Sequence, residues 1–143
     1  MTRYVLDASV AAKWFLQAED EPFTEEALQL LRNYVSADVE LFVPDLFFAE
    51  FANIFWKAER LHRCDPRTTN RALAEIINRN LPSFPAMPLL NQATLIARAC
   101  GRTVYDSLYL ALAVALDALL VTADERLVRS VRGRLPVVWL GAL

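Results

Sequence analysis

Residues 104–132 read VYDSLYLALAVALDALLVTADERLVRSVR, and the order of apolar and polar residues in this stretch decides the fold. Val104 to Val121 is the chain's strongest candidate for a membrane span. Asp106 and Asp117 lie inside it, and an Asp at mid-bilayer costs roughly 2.5–3.5 kcal/mol. The run therefore reads as a buried helix over 105–116, a turn at Asp117 and a buried strand from Ala118 to Thr122. A helix from Glu125 to Arg132 follows, stopped by Gly133. The strand is apolar at consecutive positions rather than alternate ones, which points to a parallel sheet covered on both faces.

The rest of the chain repeats this alternation. Tyr4 to Leu6 is a short buried strand, and Ser9 can cap a helix running to about Gln17. Glu19 to Pro22 is a loop, and Thr24 caps a helix through about Tyr34. Leu41 to Val43 is a second strand, ended by Pro44. Asp45 starts a long helix to about His62. Asp65-Pro66 pairs an N-cap with Pro at the first helical position and opens a helix to about Arg79. Met87 is placed in a brief strand, Asn91 starts a helix stopped by Gly101, and Val137 to Leu140 is a final strand. The fold class is α/β, a central parallel β-sheet flanked by α-helices. No repeat or linker divides the chain, and the Pro-rich stretch Leu81 to Pro88 reads as a loop, so residues 1–143 are expected to form a single domain.

The 143 residues are 55% hydrophobic and 22% charged, values of an ordinary globular protein that argue against disorder. Cys64 and Cys100 are far apart and make neither a disulfide framework nor a four-ligand zinc site. That favours a reducing, cytoplasmic setting. Arg3 is followed by only three apolar residues before Asp7, so no signal peptide is expected. The net charge of −2 hides an asymmetry: residues 1–50 hold 3 basic and 10 acidic side chains, residues 51–80 hold 6 and 3. Thirteen of the 15 basic residues are Arg, whose planar fork suits phosphate. The ordinary reading of Arg60, Arg63, Arg67, Arg126, Arg129 and Arg132 is solvated helix faces.

Four acids stand in awkward places. Asp7 directly follows the first strand, and Asp124 lies two residues beyond the strand ending at Thr122. If those strands are neighbours, both carboxylates enter one crevice at the carboxyl end of the sheet. Residues 46–56 read LFFAEFANIFW, in which Glu50 and Asn53 are the only polar residues and share a helix face. No Arg or Lys lies within four positions of Glu50. A carboxylate on so apolar a helix needs a metal ion or a basic group from elsewhere in the fold. Asp106 sits in another nearly all-apolar segment. Each acid also has an ordinary explanation, since Asp7, Asp106 and Asp124 can all be helix caps. Glu19, Asp20, Glu21, Glu25 and Glu26 read as solvated surface. Four converging carboxylates would repel one another, and a hard dication with oxygen ligands resolves the repulsion. With one His and no Cys pair, Mg²⁺ or Mn²⁺ fits better than zinc. Such ions serve phosphodiester hydrolysis.

The segments VLDASV (5–10), FFAEFANIF (47–55), TVYDSLYLALA (103–113) and LLVTADERL (119–127) resemble the PIN-domain nucleases, and among them the VapC-type ribonuclease toxins of bacterial toxin–antitoxin pairs. The resemblance implies a PIN-like, Rossmann-like three-layer sandwich. It implies a Mg²⁺ site, with Mn²⁺ able to substitute, built from Asp7, Glu50, Asp106 and Asp124. Ser9, Asn53 and Thr122 fall at polar positions that would orient the carboxylates or a metal-bound water. Capping, a surface amide and a strand-end hydroxyl are the ordinary alternatives for these three. The implied activity is endoribonuclease cleavage of RNA by water, with no covalent intermediate. The implied partners are a cognate antitoxin and a second copy of the chain. Phe47, Phe48, Phe51, Phe55 and Trp56 occupy more than one face of their helix, as an interface would require, unless the helix over 66–79 covers them. His62, the single His, is not expected to act as general base; a surface or RNA-contacting place suits it better.

A haloacid-dehalogenase-type phosphatase would need Asp where Ser9 stands. A receiver domain would need an Asp in Pro85 to Leu90 and a Lys after Lys57, and the chain has neither. The competing reading is a catalytically silent PIN-like module that binds protein or RNA.

Overall fold

The structure is a computed structural model that describes every residue except Gln17. Among the described residues, five strands form one parallel sheet: β1 (Thr2–Leu6), β2 (Val39–Pro44), β3 (Ser83–Phe84), β4 (Leu119–Thr122) and β5 (Val137–Trp139). Their spatial order is β3-β2-β1-β4-β5. In register, Val5 lies opposite Phe42 on one side and Leu120 on the other. Val5, Leu6, Leu120 and Val121 are fully buried, as strands covered on both faces require.

Seven α-helices are seen among the described residues. They are α1 (Ala8–Ala11), α2 (Thr24–Val35), α3 (Phe47–Arg60), α4 (Pro66–Asn78), α5 (Leu90–Cys100), α6 (Val104–Leu116) and α7 (Glu125–Val131). Apolar α6 crosses β1, β2 and β4 and is itself covered by α5, while α2 packs on β2 and α3 sits against α1 and α4. The result is a three-layer α/β architecture. No helix among the described residues is long and apolar enough to cross a membrane.

Several expected boundaries shift for physical reasons. Asp7, not Ser9, caps α1 by accepting the Ser9 N–H. That helix gives way to a 3-10 turn over Ala12–Trp14, and the expected end at Gln17 lies outside the described residues. Thr24 is the first residue of α2 rather than its cap, and its hydroxyl donates to the Glu21 carbonyl at 3.1 Å. Asp45 belongs to the turn before α3, where its carboxylate accepts the Ala86 N–H at 3.2 Å. Met87 lies in a 3-10 turn, Met87–Leu89. Pro88 lacks the N–H that a strand ladder needs and suits the start of a helical turn. The short strand is instead Ser83–Phe84. His62 is exposed at a left-handed φ of 57° just past α3, where it helps turn the chain.

The aromatic helix is mostly core. Phe47, Phe51 and Phe55 are fully buried. Their i, i+4, i+8 spacing makes one stripe, with successive ring centroids 5.9 and 4.9 Å apart. Trp56 alone of the five is largely exposed, at 54%, and the Arg60 guanidinium lies 4.8 Å from its ring centroid. The broad apolar patch expected on this helix is therefore reduced to one end.

Glu21 also departs from expectation. It is not solvated surface but the partner of buried Lys13, whose ammonium donates to Glu21 Oε1 and to the Pro22 carbonyl, each at 2.7 Å. Arg63 donates to Glu21 Oε2 and to Asp20 Oδ2, each at 2.8 Å. An ammonium taken out of water requires such a partner.

Candidate active site

The sheet order makes the site possible. The chain lays β2 and β3 on one side of β1, then returns to lay β4 and β5 on the other. Ligand crevices in open parallel sheets form at such a reversal, beyond the carboxyl ends of the strands. Asp7 and Asp124 both leave the sheet there.

Backbone pairing anchors Asp7, whose N–H continues the ladder to the Val121 carbonyl at 3.1 Å. Its two oxygens have separate tasks. Oδ1 receives the Ser9 N–H at 3.4 Å, and Oδ2 accepts the Thr122 hydroxyl at 2.6 Å. The same Thr122 hydroxyl accepts the Asp124 N–H at 3.1 Å, and the Ser9 hydroxyl accepts the Ala123 N–H at 3.3 Å. Ser9 and Thr122 thus tie the ends of β1 and β4 together around the acids.

Asp124 divides its oxygens in the same way. Oδ1 caps α7 by accepting the Leu127 N–H at 3.1 Å, which leaves Oδ2 free of the helix end. For these two residues, capping and site membership are compatible. Asp106 is not a cap. Thr103 takes that place, accepting the Asp106 N–H at 3.0 Å, so the Asp106 carboxylate has no duty to the helix end.

Glu50 stands in the first turn of α3. Its Oε1 is buried and has no hydrogen-bond partner. The Tyr109 hydroxyl faces it from α6, similarly buried, without closing a regular hydrogen bond. Burial pushes the Glu50 carboxyl above the usual carboxylate range; Tyr109 opposes the shift, and the charges of Asp7 and Asp106 add to it. Burial raises Asp7 as well, against hydrogen bonds from Thr122 and Ser9, and Asp106 adds a further upward push. Burial and the charges of Asp7 and Glu50 keep the Tyr109 hydroxyl protonated far above neutral pH. The charges of Asp7 and Asp106 thus reach Glu50, and that of Asp106 reaches Asp7.

Arg102 completes the picture and was not anticipated. A single nitrogen, Nη2, donates to Asp106 Oδ2 at 3.0 Å and to Asp124 Oδ2 at 3.1 Å. Its spacing of four from Asp106 was visible in the sequence, whereas its link to Asp124 depends on the fold. Tyr109 was likewise hidden among core residues of α6. Asn53 is exposed and makes no hydrogen bond to the acids among the described residues. Also among the described residues, no three His, Cys, Asp or Glu side chains stand in an arrangement that could hold a metal ion.

Comparison with known proteins shows the family to which this fold belongs. The PIN domain family profile matches residues 4–132, a span containing all four acids. Ribonuclease VapC3 of Pyrobaculum aerophilum is 31% identical over 127 residues, which cover 87% of this chain and 92% of the relative. Exonuclease VapC9 of the same organism is 30% identical over 100 residues, 68% of this chain and 72% of its own. A chain in the solved toxin-antitoxin complex from Klebsiella pneumoniae shares the fold, with a TM-score of 0.62 at 15% identity over 94% of this chain and 95% of that one. A parallel sheet that reverses beside Asp7, together with matches spanning nearly the whole chain, leads to one conclusion: the chain is a VapC-type member of the PIN-domain family.

Proposed function

We propose that this protein is a Mg²⁺-dependent endoribonuclease and the toxin half of a type II toxin–antitoxin pair. The observation that carries the metal-dependent reading is Glu50. Its buried Oε1 lacks a partner, and it stands within the field of two more carboxylates. A buried charge left uncompensated is strongly destabilising, and a hard dication with oxygen ligands is the chemistry that relieves it. Asp7, Glu50, Asp106 and Asp124 fit such an ion in donor type. They do not form a closed cage, and Arg102 holds two of them.

Asp7, Glu50 and Asp106 would hold the dication, with Asp124 at the edge of the set. When bound, Mg²⁺ or Mn²⁺ supplies positive charge at the scissile phosphate and lowers the pKa of a coordinated water. The chain's own residues do the positioning. Thr122 fixes Asp7 Oδ2 and the Asp124 backbone together, and Ser9 braces the same strand ends. Tyr109 keeps its proton and faces Glu50. Two cavities of about 400 and 470 Å³ open at the amino ends of β1 and β2, and neither is lined by any of the four acids. An antitoxin and a second copy of the chain are the partners this reading carries, the former supported by the fold shared with a toxin-antitoxin complex.

One observation favours the silent-module reading: Arg102 already bridges two of the acids and offsets one of their two charges. Incubating the protein with end-labelled structured RNA and Mg²⁺, beside Asp7→Asn and Asp106→Asn, separates the readings. Internal cuts by the wild type alone support the proposal. Stepwise shortening from one end would indicate an exonuclease. Bound but intact RNA would favour the silent module. Equal cleavage by all three proteins would place the activity elsewhere.

A further inference from the structure

Arg102 sits where positive charge is most needed. It follows Gly101, which ends α5 at a left-handed φ of 66°, and precedes the α6 cap Thr103. The residue is therefore outside both helices, and its side chain can change direction without breaking helical hydrogen bonds. The hold on the acids is of an exchangeable kind. One nitrogen serves two carboxylates from different elements, at 3.0 and 3.1 Å. A parallel two-nitrogen fork on one carboxylate would be the stronger arrangement. The three side chains are partly exposed, 22% for Arg102, 31% for Asp106 and 42% for Asp124, and water screens pairs of that kind.

We propose that Arg102 is an internal counter-ion that holds Asp106 and Asp124 in place of a dication, so that metal entry and release of the guanidinium are a single exchange. This inference rests on the reading of the acids as a metal site. Without metal, Arg102 suppresses the repulsion between α6 and the β4–α7 turn and keeps both carboxylates at the crevice. With metal, the dication repels the guanidinium across the carboxylates they both face, and the guanidinium leaves. Arg102 is thus a positioning residue that sets how much dication the protein needs.

Titration calorimetry of the full chain with MnCl₂ tests this on wild type, Arg102→Ala and Arg102→Gln. Gln keeps a hydrogen-bond donor without the charge, so it decides the matter if the Ala variant does not fold. The expected result is Mn²⁺ affinity at least about five-fold tighter in the variants, together with lower melting temperatures than wild type in the absence of metal. Arg102→Lys, which keeps the charge, should return affinity toward wild type. Unchanged or weaker affinity in the variants, with wild type still binding Mn²⁺, overturns the exchange and leaves the metal site standing. No Mn²⁺ binding by any of these proteins overturns both.

Discussion

Glu50 places a carboxylate where water is scarce and two like charges are near, and its consequences can be read by pH. Burial raises its folded-state pKa above the unfolded value. Between the two values the folded protein binds more protons, so this group's contribution to stability falls as pH rises through that range. In metal-free buffer at pH 7, Glu50→Gln should therefore melt above wild type, and the advantage should disappear as pH falls through the carboxylate range. Scanning calorimetry across pH checks this, and a variant that melts lower at every pH would mean that Glu50 is already compensated. Thr122 is the complementary case, since its buried hydroxyl serves Asp7 and the Asp124 backbone at once. Thr122→Val should cost about 1–3 kcal/mol in urea unfolding, the penalty for leaving buried polar groups unmatched. The acids were legible because each interrupts an apolar run or follows a strand. Arg102 and Tyr109 were not, because Arg102 meets Asp124 across 22 positions and Tyr109 meets Glu50 from another helix.

Elements were legible wherever a local signal decided them. Asp65-Pro66 opens α4, and Gly101 and Gly133 follow the ends of α5 and α7 in left-handed conformations. At α1 and α6 the expected cap stands near a second residue able to cap, Asp7 and Thr103 respectively, which takes the place, whereas α2 and α3 start after Phe23 and Leu46 with no side-chain cap. At α6 the choice of Thr103 matters, because it releases the Asp106 carboxylate from the helix end and lets it meet Arg102. Thr103→Ala should lower stability by about 1 kcal/mol through loss of that cap, a difference measurable by denaturant unfolding. Phe51 belongs to the buried stripe of α3, and Phe51→Ala should cost about 3–5 kcal/mol for a large cavity. A loss under 1 kcal/mol would contradict the packing described. Lys13 and Glu21 show where local reading ends: neither the loop acids nor a lone Lys reveals that the two meet in the interior.

For the whole molecule, the alternation of short apolar strands with helices was enough to read a parallel sheet covered on both faces. The strand order was not legible, because sequential spacing does not say on which side of β1 the later strands dock. That order, β3-β2-β1-β4-β5, makes β1 and β4 neighbours and brings Asp7 beside Thr122 and Asp124. Binding of a dication to the folded state alone should raise stability by mass action, about 2.7 kcal/mol at 100 times its dissociation constant. A Tm unmoved by millimolar Mn²⁺ would oppose a shared site. The most direct test is anomalous diffraction from crystals grown with Mn²⁺. The expected result is a Mn²⁺ peak about 2.0–2.3 Å from oxygens of Asp7, Glu50 and Asp106, with the Arg102 guanidinium turned away from Asp106. A well-ordered crevice with no peak, or a Mn²⁺ bound only elsewhere, would contradict the metal site on which the proposed nuclease rests.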